Sequence, residues 1–515
     1  MADLNDKSAT TTQTAPPQSI MQKRTPHSAE ASQATATNDP ILPLHHRESY
    51  MDRPLAAWER FNGKGKHVPG WWSSFVKTVT HSWLNVLLIC LPIVWALHFT
   101  HVNPRITFAF AILGIVPLEK MFDFLGEQMA LYCGQSIGDL IVITLNNAVE
   151  VSLAIILLTK CRLRLLQATL IGVVVLHLLL IPGAAFLTGG AKIWQQHLHE
   201  HPTQLNHVIL TMGVVTLLLP AAFFGAMNEP SVATQARGSE SLVERSFAVL
   251  SEHGAASDET RGAILQFSRG LSVLLLLVYI CSRIYLHNPP GDGNALTLPP
   301  NATRAEVKQE EKKQEADPEV NPWAGLLMII ITVGIMAATA EWLVEALEPV
   351  VGEEVVTEEW LGLVLLPFVS FAGDGFVAVG YFIARLLRYK TVIPEELAKG
   401  RAIDMSIQFL TLWLPFLVLL SWWIDKPLSL LFDLFEVVVL TGSCFLVNYV
   451  TADAKTNWAE GFVMVIFYVM IAVTAWFYPG QLSHGHLLAC AKSVAESVAG
   501  VNSGAAEGTA EGTAH

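Results

Sequence analysis

Asn146-Asn147-Ala148-Val149-Glu150 places one carboxylate and two carboxamides inside a run, Asp139 to Lys160, that is otherwise mostly Ile, Val, Leu and Ala. An acid inside such a run is costly in lipid unless it has a partner, a proton or a metal ion. Asn147 and Glu150 are three residues apart, so a continuous helix would put them on one face. Oxygen ligands on one apolar face are what a hard cation such as calcium requires. A second stretch, Ser370-Phe371-Ala372-Gly373-Asp374-Gly375, follows the apolar run Leu363 to Val369 and supplies a second acid, Asp374. Beyond it come Asp404, Ser406 and Gln408 at the start of another apolar run. The candidate cation- and proton-binding residues are therefore Asn147, Glu150, Asp374, Asp404, Ser406 and Gln408, with Glu150 and Asp374 as the metal ligands. The plain alternative is a set of buried polar groups that only tie helices together.

The elements that would position these groups follow from composition. Of 515 residues, 52% are hydrophobic and only 15% charged, and the mean hydropathy is +0.42. A soluble domain carries about a quarter charged residues. The apolar residues also come in runs of bilayer length, which makes the fold class an all-α polytopic membrane protein. A net charge of -13 argues against nucleic acid as a partner. The six cysteines are scattered, with no spacing that suggests a disulfide framework or a zinc site. No Walker-type glycine loop is present, and no cofactor or catalytic constellation is indicated, so an enzyme is not expected.

The pattern predicts about eleven transmembrane helices. Residues 1–68 read as a disordered cytosolic N-terminal tail, rich in Ser, Thr, Ala, Gln and Pro. Residues 69–287 form the first transmembrane half, with spans near 83–100, 105–122, 137–159, 163–188, 207–226 and 268–287. Residues 288–322 are a charged cytosolic linker. Residues 323–480 form the second half, with spans near 323–345, 360–386, 399–424, 428–450 and 457–478, and 481–515 read as a disordered C-terminal tail. Arg60, Lys64, Lys66 and Lys77 before the first span favour a cytosolic N-terminus. Lys160, Arg162 and Arg164 then face away from the cytosol, against the charge rule. Basic loops on opposite faces are what an inverted repeat would give, and a pair of repeat halves, each with an acid in an interrupted span, describes a secondary transporter.

Over about residues 71–480 the chain resembles the calcium/proton exchangers of the cation/calcium exchanger superfamily, in their fungal vacuolar form. The likeness runs through Asn147-Ala148-Val149-Glu150, Leu166-Gln167-Ala168-Thr169, Leu219-Pro220-Ala221-Ala222-Phe223, Gly362-Leu363-Val364-Leu365-Leu366-Pro367, Trp423-Ile424-Asp425-Lys426-Pro427 and Asn457-Trp458-Ala459-Glu460-Gly461. The resemblance implies two inverted five-helix repeats plus one N-terminal helix, each repeat with a Gly-Asn-Ala-x-Glu motif. It also implies calcium and protons as substrates, a vacuolar or other endomembrane location, and a lipid membrane as partner; it leaves a homo-oligomer open. Asn146 replaces the glycine of the first motif. The second is worn: Ser370 stands for Gly, Phe371 for Asn and Asp374 for Glu, while Asp404 and Met405 replace a Gly-Ser pair. Asp is a methylene shorter than Glu, and Phe371 removes an amide oxygen. Two alternatives therefore stay open: a transport-deficient regulatory paralogue, and a monovalent cation/proton exchanger.

Overall fold

The structure, a computed structural model, describes residues 58–59, 61–63, 67–100, 103–133, 135–190, 196–197, 200–227, 258–287, 317–351, 357–387 and 401–490. The N-terminal tail up to residue 57, most of the charged linker and the C-terminal residues from 491 lie outside them. Helix α1 (Trp71–Thr80) does not continue into the first span. It meets the segment Trp83–Phe99, a 3-10 turn followed by α2 (Cys90–Phe99), at 95°. Trp71, Trp72 and Trp83 are all exposed, as aromatic residues at a headgroup boundary would be. The break is held by Asn85, whose Nδ2 donates to the carbonyls of Thr78 and Val79 at the end of α1.

The chain then runs through α3 (Pro104–Cys133), α4 (Gln135–Asn146), α5 (Ala148–Thr159), α6 (Leu163–Val175), a π-helical turn (Leu176–Leu180) and α7 (Ile181–Gly190). Next come α8 (Glu200–Met227), α9 (Asp258–His287) and α10 (Pro322–Val351). The second half continues with α11 (Glu358–Trp360), a π turn (Leu361–Leu365), α12 (Leu366–Leu386), α13 (Arg401–Gln408), a π turn (Phe409–Trp413) and α14 (Leu414–Trp423). It closes with α15 (Leu434–Val450), α16 (Trp458–Trp476) and α17 (Leu482–Leu488). A two-stranded antiparallel bridge pairs β1 (Gln196–His197) with β2 (Lys455–Thr456). Among the described residues, six helices are long and apolar enough to cross a membrane, or eight if the bent pairs α1–α2 and α4–α5 each count as one span.

Two spans form the centre. In Leu163–Gly190, 78% of the apolar window is buried inside the protein, and in Ala402–Trp423 67%; the window of Trp458–Trp476 is 28% buried. A helix that is apolar all round and buried by protein lies inside the bundle, while the outer helices turn their apolar surface to lipid. The central span crosses the α11–α12 span at two glycines. A Cβ on Gly172 would collide with the Leu363 backbone, and one on Gly362 with Ala168 and the Leu165 carbonyl. Only hydrogen at both positions lets the backbones approach this closely.

The three π turns share one cause. Each is followed by a residue and then a proline: Ile181-Pro182, Leu366-Pro367 and Leu414-Pro415. A proline in a helix clashes with the carbonyl four residues back. The residue before each proline instead donates five residues back, Ile181 to Leu176, Leu366 to Leu361 and Leu414 to Phe409. The wider turn relieves the clash without breaking the span.

Two expectations need correction. The six cysteines do include a disulfide, Cys161–Cys490, with Cα atoms 6.4 Å apart. Its partners are 329 residues apart, so spacing could not reveal it. The stretch after residue 481 is not wholly without structure: α17 buries Leu487 and Leu488, and Cys490 is tied to the turn after α5. At the other terminus, Trp58 and Phe61 of the expected tail pack on Trp323, whose Nε1 donates to Asn62 Oδ1.

Candidate cation site

The helix leading to Glu150 is broken at Asn147. Asn147 leaves helical geometry (φ -92°, ψ 3°), and α4 and α5 meet there at 50°. Asn147 thus precedes α5, and Glu150 sits in its first turn, where the positive end of the helix dipole favours a carboxylate. Both are buried, Asn147 fully and Glu150 at 4% exposure. The one-face helix is therefore replaced by a helix start, with Asn147 at its N-cap and Glu150 in its first turn.

Asn147 Nδ2 donates to Gln408 Oε1 at 2.8 Å, joining the break in the first half to α13 in the second. Gln408 is fully engaged. Its Nε2 donates to Thr144 Oγ1 at 2.9 Å and to the Tyr279 hydroxyl at 3.0 Å, and its Oε1 also accepts from Trp413 Nε1 at 3.3 Å. It sits directly before the π turn Phe409–Trp413. Asn147 Oδ1 has no hydrogen-bond partner among the described residues. That oxygen, next to Glu150, is the amide acceptor of this network left to a ligand, whereas Gln408 would have to give up a bond to serve.

Ser406 Oγ donates to its own helix, to Ala402 O at 3.1 Å. Asp404 lies nearer the end of the bundle; its Oδ1 accepts from Asn206 Nδ2 at 3.2 Å and stands 3.7 Å from Arg283 Nη2. Asp374 lies on α12, and its side chain is outside the described residues, so its approach to Glu150 is not described. Phe371, in the worn motif, is buried in the main core at 5% exposure. Among the described residues no group of three His, Cys, Asp or Glu side chains is placed to hold a metal ion. The buried His177 turns its Nδ1 to the carbonyl of Val173 in its own helix, at 2.8 Å.

Four partners were not legible as such: Tyr279, Arg283, Asn206 and Trp413. One signal existed. Tyr279 and Arg283 are four apart in an otherwise apolar run, so they share a face, and an arginine there needs an acid such as Asp404.

At the opposite end the basic turn after α5 is fully paired. Lys160 Nζ meets Glu341 and Glu345 of α10 at 2.8 and 2.9 Å, Arg162 lies 3.9 Å from Glu358, and Arg164 bonds Glu359. Arg164 also donates to Pro479 O at 2.6 Å. Gly480 follows with φ +76°, and a side chain there would run into Arg164 and Glu359. Asp433, before α15, accepts from the Tyr478 hydroxyl at 2.6 Å and from Gln481 N at 3.0 Å. Gln167 on α6 holds the loop before α15 at the same end through the carbonyls of Ser429 and Leu431. The hydrogen bond to Glu341 raises the Lys160 ammonium, while burial raises the Glu359 carboxyl against the pull of Arg164. These pairs account for the basic turn that broke the charge rule: each cation is matched across to the second half.

A bundle of apolar spans, one of them broken beside a buried acid, describes a multi-pass membrane protein. Residues 324–477 match the sodium/calcium exchanger protein family. The vacuolar calcium ion transporter of Cryptococcus neoformans var. grubii is 29% identical, across 82% of this chain and 78% of its own. The Ca(2+)/H(+) antiporter of Aphanothece halophytica is 27% identical, across 76% and 96%. Among solved structures, native YfkE superposes with a TM-score of 0.54 at 20% identity, covering 77% of this chain and all of its own. The second half of this chain thus matches that family's model, and over more than three quarters of its length the chain is similar to calcium transporters and Ca(2+)/H(+) antiporters.

Proposed function

We propose that the protein is a cation/proton antiporter that exchanges calcium for protons across the membrane of a vacuole or related acidic organelle, lowering cytosolic calcium. The observation that carries this reading is Glu150, buried in the first turn of α5 beside a helix break that also presents the free Asn147 Oδ1. Proton and dication compete for the same carboxylate oxygens, and that competition is what couples their movement. Asp374 supplies the second carboxylate from the other half, with Asp404, Ser406 and Gln408 lining the approach. The eleven spans expected from the sequence would form one N-terminal helix and two inverted five-helix repeats, which alternately open the site to either face. The cytosolic tail and linker follow from that arrangement. The Cys161–Cys490 disulfide agrees with it, because such bonds persist on the non-cytosolic side.

The test is flux. Vesicles holding the protein should take up labelled calcium only under an imposed proton gradient, and Glu150→Gln should abolish that uptake. Uptake equal to empty vesicles would defeat the reading. Phe371, whose buried ring replaces an amide, favours a second reading: a paralogue that regulates without transporting. Rescue of a calcium-sensitive cell lacking its own exchanger would dismiss it.

A further inference from the structure

Arg283 is 8% exposed in a helix of apolar residues, a position an arginine occupies only when paired. Its pairing is loose. Nη2 lies 3.7 Å from Asp404 Oδ1, beyond hydrogen-bond range, and neither Nε nor Nη2 makes a hydrogen bond to the described residues. The guanidinium carbon rests 5.1 Å from the centre of the Tyr279 ring. An arginine placed for stability would grip its carboxylate through two parallel short bonds. The contrast within this protein is Arg164, which bonds both Glu359 and a backbone carbonyl. The loose pair also has an address. Tyr279 accepts from Gln408, Gln408 accepts from Asn147, and Asn147 opens the helix that carries Glu150.

We propose that Arg283 is a specificity-determining residue of the exchange: its guanidinium is a tethered monovalent cation at Asp404, on the approach to Glu150, which an entering dication displaces and a monovalent ion does not. The inference rests on the exchange reading above. A dication gains about twice the Coulomb attraction of a monovalent charge at the same carboxylate. It can therefore take Asp404 from the guanidinium, while potassium or sodium meets a site already held by an equal charge. The released guanidinium keeps the Tyr279 face, where cation–π attraction receives it.

The experiment is proton-driven uptake of labelled calcium by vesicles holding the full chain, with the calcium concentration varied and potassium added in excess. In Arg283→Gln the calcium KM falls about fivefold, the scale of one partly exposed charge pair, and potassium now competes. Arg283→Lys keeps the charge and still excludes potassium. Asp404→Asn leaves the guanidinium without its acid and raises the KM. The double variant Arg283→Gln/Asp404→Asn strands no charge and lies between the singles. A merely structural arginine would lower kcat or the amount of protein without lowering the KM. An Arg283→Gln KM that is unchanged or higher, with no potassium competition, overturns the proposal. Should that variant not reach the membrane, equal potassium sensitivity of Arg283→Lys and the double variant overturns it instead. If the wild type carries no calcium, it is the exchange reading that fails. Labelled-calcium binding to the purified proteins then judges the inference, and Arg283→Gln must still bind the more tightly, equal binding overturning it.

Discussion

The two ends of the bundle use charge in opposite ways. At the Cys161 end, Lys160, Arg162 and Arg164 each meet an acid of the second half, and a disulfide and the bond from Arg164 to Pro479 O fasten the same turn. At the Asp404 end, a buried guanidinium meets its acid only at 3.7 Å, and its Nε and Nη2 make no hydrogen bond to the described residues. A satisfied pair holds elements together, whereas a half-satisfied one leaves polar groups buried at a cost. The difference teaches which charged residues to treat as fastening and which as part of a passage.

The largest effect that could break this comparison lies at the fastened end. Arg164→Ala strands Glu359, whose side chain is 5% exposed, beside Asp433 and Glu358. Leaving one member of such a pair buried and unmatched costs about 3 kcal/mol. Thermal unfolding in detergent should show Arg164→Ala as the least stable of the charge variants. If Arg283→Gln proves equally unstable, the two ends do not differ in kind.

Gln408→Leu sharpens the other side. It would strip partners from Asn147 Nδ2, Thr144, Tyr279 and Trp413 at once. Each buried group left unpaired costs about 1–3 kcal/mol, although some will find new partners. The expected outcome is a clear fall in melting temperature with loss of calcium uptake. Gln408→Glu keeps the acceptors but loses the two donated bonds, and should fall between wild type and Gln408→Leu. Uptake that survives Gln408→Leu would separate this clamp from the passage.

How far all this could be read from the sequence follows from particular residues. The helical membrane class was open to view, because runs such as Leu163 to Pro182 can hardly be anything else. Glu150 and Asn147 stood out because polar groups in such a run are rare. The break at Asn147 did not, since no proline or glycine marks it and the Gln408 bond holding it spans 261 residues. The π turns were legible in principle from Pro182, Pro367 and Pro415, once the clash four residues back is considered. The Cys161–Cys490 bond and the pairing of Lys160 with Glu341 and Glu345 were not. Both join segments that only the folded bundle brings together.

A smaller effect tests whether every pair at the Cys161 end matters equally. Lys160 is 38% exposed and its acids 48% and 43%, so water screens the contact. Lys160→Ala should cost only about 0.2–1 kcal/mol, far below Arg164→Ala. A larger loss would mean that the turn is held through Lys160 rather than through Arg164.

The smallest effect concerns acidity at that end. Burial, with Asp433 and Glu358 adding to it, raises the Glu359 carboxyl despite Arg164. A group whose folded value is raised contributes stability that is fully present below its unfolded value and is lost as pH rises through the folded one. Lys160 is raised too, but from 10.5, so its contribution changes only in alkali. Between neutral and mildly acidic pH the fastened end should therefore tighten as pH falls. Melting temperatures across that window should rise toward acid in the wild type and less so in Glu359→Gln. An identical slope in both proteins would place the pH response elsewhere and leave the Arg164–Glu359 pair as a fixed bolt.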